Sequence, residues 1–291
     1  MANLLDIRRR IKSVKNTQQV TKAMKMVSAA KLRRAQERVT NARPFADKMR
    51  QMLENLAAQT AEDFHHPLLD PRGDQRYRVF LITADKGLCG GFNTNLIKAA
   101  QVFLKENADK EIELVTIGRK GRDFFRRQRQ LAGEFIGVTG KGSVSFDETV
   151  QLARENVIKQ FINDEGLDKV FIIFSEFKSV MTQRVVVEQL LPIAQEKEVS
   201  ETVTEAPRDY IFEQPPAEIF GRLLPALVEM QIYRALLESI ASELGARMTA
   251  MDAATKNAGE LISSLTLNMN RVRQAAITRE IIEIVSGAAA L

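Results

Sequence analysis

Both ends of this chain carry an apolar spacing of three and four residues, sustained far longer than a globular helix needs. From the N-terminus the positions are Leu4, Ile7, Ile11, Val14, Gln18, Thr21, Lys25, Ser28, Leu32, Ala35, Val39, Ala42, Ala46, Met49, Leu53 and Leu56. Such a seam predicts one long helix that packs along its length against another. At 1.5 Å per residue, about 55 residues span about 80 Å. From Pro216 a second seam runs through Ala226, Met230, Tyr233, Leu237, Ile240, Leu244, Arg247, Met251, Ala254, Ala258, Leu261, Leu265, Asn268, Val272 and Ala275. It then shifts to Ile277, Ile281, Ile284 and Ala288; about 70 helical residues reach about 105 Å. Helices at opposite ends of one chain pair only if the middle folds back between them. The expectation is an intramolecular antiparallel coiled coil, with segments at 1–58 and 216–291.

Two details qualify the first seam. Its middle positions, Gln18, Thr21, Lys25 and Ser28, are polar, while apolar residues fall at Val20, Met24 and Val27. That predicts a seam rotating around the helix in the stretch that holds Lys22 and Lys25. Pro44 lies inside the pattern and predicts a kink or a local break, because proline lacks the amide proton of a helix interior.

The middle alternates strand and helix signals. Strands are predicted at Arg76–Thr83, Glu111–Ile117, Glu134–Val138, Lys169–Ser175 and Arg184–Leu191. Helices are predicted at Thr94–Glu106, Asp123–Gln128 and Phe146–Phe161. This order argues for a small, mostly parallel α/β domain of Rossmann-like type over 76–194. Connections are expected at 59–75 and 195–215. The second holds six acidic and two basic residues between Gln195 and Glu213, with room for a short strand at Asp209–Phe212.

Charge is unevenly spread. Residues 1–58 hold 14 Lys and Arg against 4 Asp and Glu, although the whole chain is only +5. A basic arm suits a polyanion or an acidic protein surface. No run of eighteen apolar residues predicts a membrane span, and no signal-peptide pattern is visible near Met1. A single cysteine, Cys89, rules out an internal disulfide. With two histidines, His65 and His66, a His/Cys metal site is not expected.

Candidate chemical motifs fail on inspection. Asp85–Asn93 reads D-K-G-L-C-G-G-F-N between a strand and a helix. Its glycines, Gly87, Gly90 and Gly91, miss the dinucleotide-binding spacing, so a tight structural turn is expected. In Gly137–Ser143 (G-V-T-G-K-G-S) a phosphate-binding loop would need Gly where Phe135 stands and Ser or Thr where Gly142 stands. No nucleophile–base pair, paired carboxylates or cofactor motif stands out. The methionines of the two helices, Met24 among them, suit packing or a sliding contact. The chain reads as non-catalytic.

The last fifteen residues, I-T-R-E-I-I-E-I-V-S-G-A-A-A-L, carry an apolar helical face and end without charge. Such a tip is suited to insertion into another protein. The pattern resembles the C-terminal signature of the γ subunit family of F-type ATP synthases. Three more segments are similar to that family: Ile7–Lys31, the D-K-G-L-C-G-G-F-N turn, and S-E-L-G-A-R-M-T-A-M-D-A-A-T-K-N-A at Ser242–Ala258. The segments occur in family order and cover nearly the full chain. The dithiol segment of the chloroplast version is absent.

The resemblance implies a rotor shaft inside a hexamer of α and β subunits, with the α/β domain against the ε subunit and the membrane c-ring. It implies no cofactor, no nucleic acid and no direct membrane insertion. It also implies a place at the cytoplasmic face of a bacterial plasma membrane. Contacts with the hexamer are carried over to Lys22, Met24, Lys25, Arg247, Thr278, Glu280 and Glu283. Two other classes compete: a basic coiled-coil protein binding nucleic acid, and a small α/β enzyme with helical arms. Phe45 is the lone aromatic residue of the basic arm, which gives base stacking little support.

Overall fold

The computed structural model describes residues 4–59, 65–140, 142–193 and 216–289. The predicted connection at 195–215, with its short strand, lies outside the described residues. So do residues 60–64 of the first connection. The elements follow in order: α1 (Leu4–Gln59), β1 (Arg76–Ile82), α2 (Phe92–Glu106), β2 (Glu111–Ile117), α3 (Arg119–Phe125) and β3 (Gly133–Phe135). Next come α4 (Phe146–Ala153), a π-helical stretch (Arg154–Ile158), α5 (Lys159–Asn163), β4 (Lys169–Phe177), β5 (Gln183–Leu191) and α6 (Pro216–Ala289). The chain divides into two compact units, residues 1–29 with 247–291 and residues 30–246.

The larger unit is built on a five-stranded sheet in the order β3-β2-β1-β4-β5. Four strands run parallel and β5 returns antiparallel to β4. The mostly parallel expectation therefore holds. Strands β1 and β4 read as near-continuous buried runs because both faces of a parallel sheet are covered. Phe92, Leu96 and Ala100 recur every four residues on α2 and pack with Val79, Leu81, Leu114, Phe125 and Ile173.

Local differences from the sequence reading have local causes. The third strand is shorter than expected and starts one residue earlier, because Gly137 takes a positive φ of 83° and turns the chain. The basic helix starts at Arg119 rather than Asp123. Gly118, at φ 102°, turns the chain directly after β2, and a Cβ there would lie 2.1 Å from the Thr83 carbonyl oxygen. The helix expected over Phe146–Phe161 is interrupted by the π stretch. Pro44 does not break α1, which is helical on both sides of it. Both Pro44 and Thr40, whose carbonyl loses its partner, are exposed, so water can satisfy that oxygen.

In the smaller unit, residues 4–29 of α1 run antiparallel to α6. Gln18 and Thr21 meet Thr255, and Lys25 meets Asp252. Ile7, Thr21, Ser28, Met251 and Ala258 are buried.

Candidate functional site: a polar helix pair and an exposed apolar helix end

The middle of the first seam does not rotate. Val20 and Val27 remain 57% and 56% exposed, while Thr21 and Ser28 are buried. The three–four spacing simply continues through polar residues, and these make the inter-helix bonds. Lys25 Nζ donates to Asp252 Oδ1 at 2.6 Å, with Lys256 at 3.6 Å from the other carboxylate oxygen. The Lys25 hydrogen bond holds the Asp252 carboxyl below its ordinary range, against a smaller opposing effect of desolvation.

The Thr21 and Thr255 hydroxyls lie 2.8 Å apart. Each also reaches a carbonyl of its own helix, Gln18 at 3.0 Å and Met251 at 2.7 Å. A hydroxyl has one proton, so one of the two donates across the interface while the other donates within its helix. Gln18 Nε2 adds a bond to the Thr255 carbonyl at 3.3 Å. Gly259 leaves room for this approach, since a Cβ there would stand 3.2 Å from Gln18 Nε2.

Further along α6 the side chains turn outward. Ile277, Ile281, Ile282, Ile284 and Val285 are between 48% and 71% exposed. Five large aliphatic side chains left in solvent on one helix end form an unpartnered apolar surface. Thr278 Oγ1 donates to the Gln274 carbonyl at 2.9 Å, so its proton is used within the helix.

The residues singled out from sequence fall on this helix pair without converging. Lys22 is exposed, Met24 and Lys25 are half-buried, and Arg247 is half-buried on α6. Thr278 and Glu280 are exposed, and the Glu283 side chain lies outside the described residues. Sequence reasoning missed Asp252 and Thr255. The available signal was the polar stretch in the seam itself, because a lysine at a seam position calls for an acid on the facing helix.

The Gly-rich turn is a separate place, at the carboxyl end of β1. Leu88 and Gly90 take positive φ angles of 62° and 56°, while Gly91, at φ -80°, is the cap residue just before α2. Asp85 is buried and accepts from the Arg119 amide at 3.0 Å, the Gly137 amide at 3.1 Å and Thr139 Oγ1 at 3.3 Å. Asn93 Oδ1 accepts from the Ala84 amide at 2.9 Å, and Thr83 Oγ1 accepts from the Gly121 amide at 2.9 Å. A Cβ on Gly140 would stand 2.7 Å from Asp85 Oδ2. The polar groups at the strand ends thus tie three loops together. Among the described residues no group of three or more His, Cys, Asp or Glu is placed to hold a metal ion.

Comparison with known proteins gives a consistent set of relatives. A family model described as ATP synthase matches residues 3–291. The ATP synthase gamma chain of Solibacter usitatus (strain Ellin6076) is 54% identical, over 100% of this chain and 99% of its own length. That of Desulfitobacterium hafniense (strain DSM 10664 / DCB-2) is 50% identical, over 100% of both. Among solved structures, one from the central stalk and c-ring of Tetrahymena thermophila mitochondrial ATP synthase is 27% identical with a TM-score of 0.59. It covers 81% of this chain and 99% of its own. A chain from Euglena gracilis mitochondrial ATP synthase is 19% identical and shares the fold, with a TM-score of 0.67 over 99% of this chain and 94% of its own.

Proposed function

This chain belongs to the ATP synthase γ-chain family and serves as the central rotor shaft of that complex, and we propose that it does so with no catalytic group of its own. Its partners are the α and β subunits around the shaft, the ε subunit and the c-ring. The shaft function takes the place of the nucleic-acid-binding alternative.

The observation that carries the shaft reading is the exposed apolar end of α6. A helix that leaves Ile277, Ile281, Ile282, Ile284 and Val285 in solvent is built to be enclosed by other subunits. Earlier on the same helix, the polar pairs at Asp252 and Thr255 fix the register of the two helices, since a one-residue slip would separate Lys25 from Asp252. Moving one charge across 100 mV is worth about 2.3 kcal/mol, so a few protons supply on the order of ten. That matches the whole stability of a domain, about 5–15 kcal/mol. Long paired helices spread such a load over many contacts.

The non-catalytic reading is supported by how the α/β domain uses its polar groups. At the carboxyl ends of its strands, where ligands bind in related folds, Asp85, Asn93, Thr83 and Thr139 are engaged in holding loops. The turn at Gly87, Gly90 and Gly91 is accordingly structural in this proposal. Hexamer contacts are proposed at Lys22, Met24, Lys25, Arg247, Thr278, Glu280 and Glu283. Exposure of Lys22, Thr278 and Glu280 supports them. Lys25 spends one of its three donors on Asp252 and keeps two for a partner. Residence at the cytoplasmic face of a bacterial plasma membrane is supported by the bacterial relatives. No helix among the described residues is long and apolar enough to cross a membrane.

Reconstitution from purified subunits tests the proposal. The chain alone should not turn over ATP. With α and β subunits added, hydrolysis should rotate a probe fixed to the α/β domain. Turnover by the chain alone, or hydrolysis without rotation, would overturn it.

A further inference from the structure

Within the larger unit, α6 is fastened to the α/β domain by a row of polar side chains. Ser239 Oγ accepts from the Ser175 amide at 3.1 Å, and Ser242 Oγ donates to the Ser175 carbonyl at 3.0 Å. Arg234 holds both Glu188 oxygens of β5 at 2.7 and 2.9 Å, and Arg154 meets Glu229 at 2.5 Å. Each of these joins α6 to one element of the domain.

Arg43 is different because it sits on α1 and reaches two other elements. Its Nε donates to Glu238 Oε1 at 2.8 Å. One terminal nitrogen donates to Glu238 Oε2 at 3.0 Å and to the Phe177 carbonyl at 2.8 Å. Glu238 Oε2 accepts in turn from the Phe177 amide at 2.8 Å. Both backbone polar groups of the last β4 residue are therefore held by an ion pair that bridges α1 and α6. The Glu238 side chain is 3% exposed and that of Arg43 41%.

A fork of two parallel N–H donors on one carboxylate fixes orientation as well as distance. An ammonium at the same place would hold a single point and leave the helices free to pivot about it. Buried Glu238 also cannot be left without a cation at little cost.

We propose that Arg43 is the positioning residue that makes α1, α6 and the sheet twist as one body, so that torque applied to the α/β domain is shared by both helices. This rests on the rotor reading, which rotation of the wild-type complex under ATP tests on its own.

The clamp itself is tested in the assembled complex with the hexamer fixed and a probe on the α/β domain. Torsional stiffness is then read from the angular fluctuations of the probe. Arg43→Ala should lower the stiffness several-fold. It should also cut ATP synthesis at high membrane potential far more than ATP hydrolysis by the detached α, β and γ assembly. Arg43→Lys keeps the charge and loses the fork, so it should be soft like the alanine variant. Wild-type stiffness in Arg43→Ala overturns the proposal. Equal losses of synthesis and hydrolysis overturn it too, since simple damage to folding gives that result. If Arg43→Ala fails to assemble, Glu238→Gln takes its place, because it keeps the size and an acceptor for the Phe177 amide. Unchanged stiffness in that variant also overturns the proposal.

Discussion

The hydroxyl pair at Thr21 and Thr255 makes a quantitative test of the polar seam. Their oxygens are 2.8 Å apart, and each has a second acceptor in its own helix. Thr255→Val keeps the branched shape and removes one hydroxyl. Thr21 then donates to the Gln18 carbonyl, so no buried proton is orphaned. The bond from Gln18 Nε2 goes to the Thr255 backbone and survives. The loss is one neutral hydrogen bond, about 0.5–1.5 kcal/mol. The added methyl, only half removed from water, returns less than about 0.8 kcal/mol. Each single substitution should therefore cost about 0–1 kcal/mol. The double variant also loses the intrahelical bond that each single variant keeps, so the two costs should nearly add, with a coupling energy of less than about 0.5 kcal/mol. Urea unfolding of the purified chain and its three variants, followed by circular dichroism, measures all four corners of the cycle. A double variant that costs about 1 kcal/mol less than the sum of the singles would refute the reasoning, because it would mean that the hydroxyl left in each single variant finds no acceptor in its own helix.

Other outcomes follow from the same geometry. Ile277→Ser with Ile281→Ser alters exposed side chains, so the stability of the isolated chain should move by less than about 0.5 kcal/mol; pull-down of α and β subunits should weaken clearly. The Asp252 carboxyl is held low by Lys25, so the pair contributes fully above the unfolded carboxylate value of about 3.9 and is lost as pH falls through the lower folded value; acid titration of wild type and Asp252→Asn should diverge above that window and converge below it. Leu96→Ala removes a fully buried side chain of the α/β core and should cost about 2–5 kcal/mol in urea unfolding. Gly118→Ala places a methyl 2.1 Å from the Thr83 carbonyl oxygen at φ 102° and should yield little folded protein, seen as loss of soluble chain on expression.

Periodicity reveals where a helix or strand runs, because burial on one face leaves its period in the chain. That is why the two long helices, and strands such as Glu111–Ile117, are legible in the order of residues alone. Sequence also determined that the helices must pair antiparallel, since their seams lie at opposite ends of one chain. The same logic misreads the stretch from Gln18 to Ser28: with hydrophobicity as the sole criterion for the seam, polar residues there imply rotation. In the folded chain the polar residues are the seam, because Asp252 and Thr255 satisfy them. The partner of Lys25 is 227 residues away and that of Arg43 is 195 residues away. No local pattern marks such pairs, since the facing helix is placed only when the intervening domain has folded. Pro44 carried a local helix-breaking preference, and exposure of its turn let the helix continue. Sheet order was likewise undetermined by the chain, because alternating strands and helices admit several crossovers. Tertiary structure chose β3-β2-β1-β4-β5 and, by ending β4 at Phe177, brought a backbone amide and carbonyl to the Arg43–Glu238 pair. What a residue does locally is written in its neighbours along the chain; what it holds across the molecule depends on charges and hydrogen-bond partners that only folding brings within hydrogen-bonding distance.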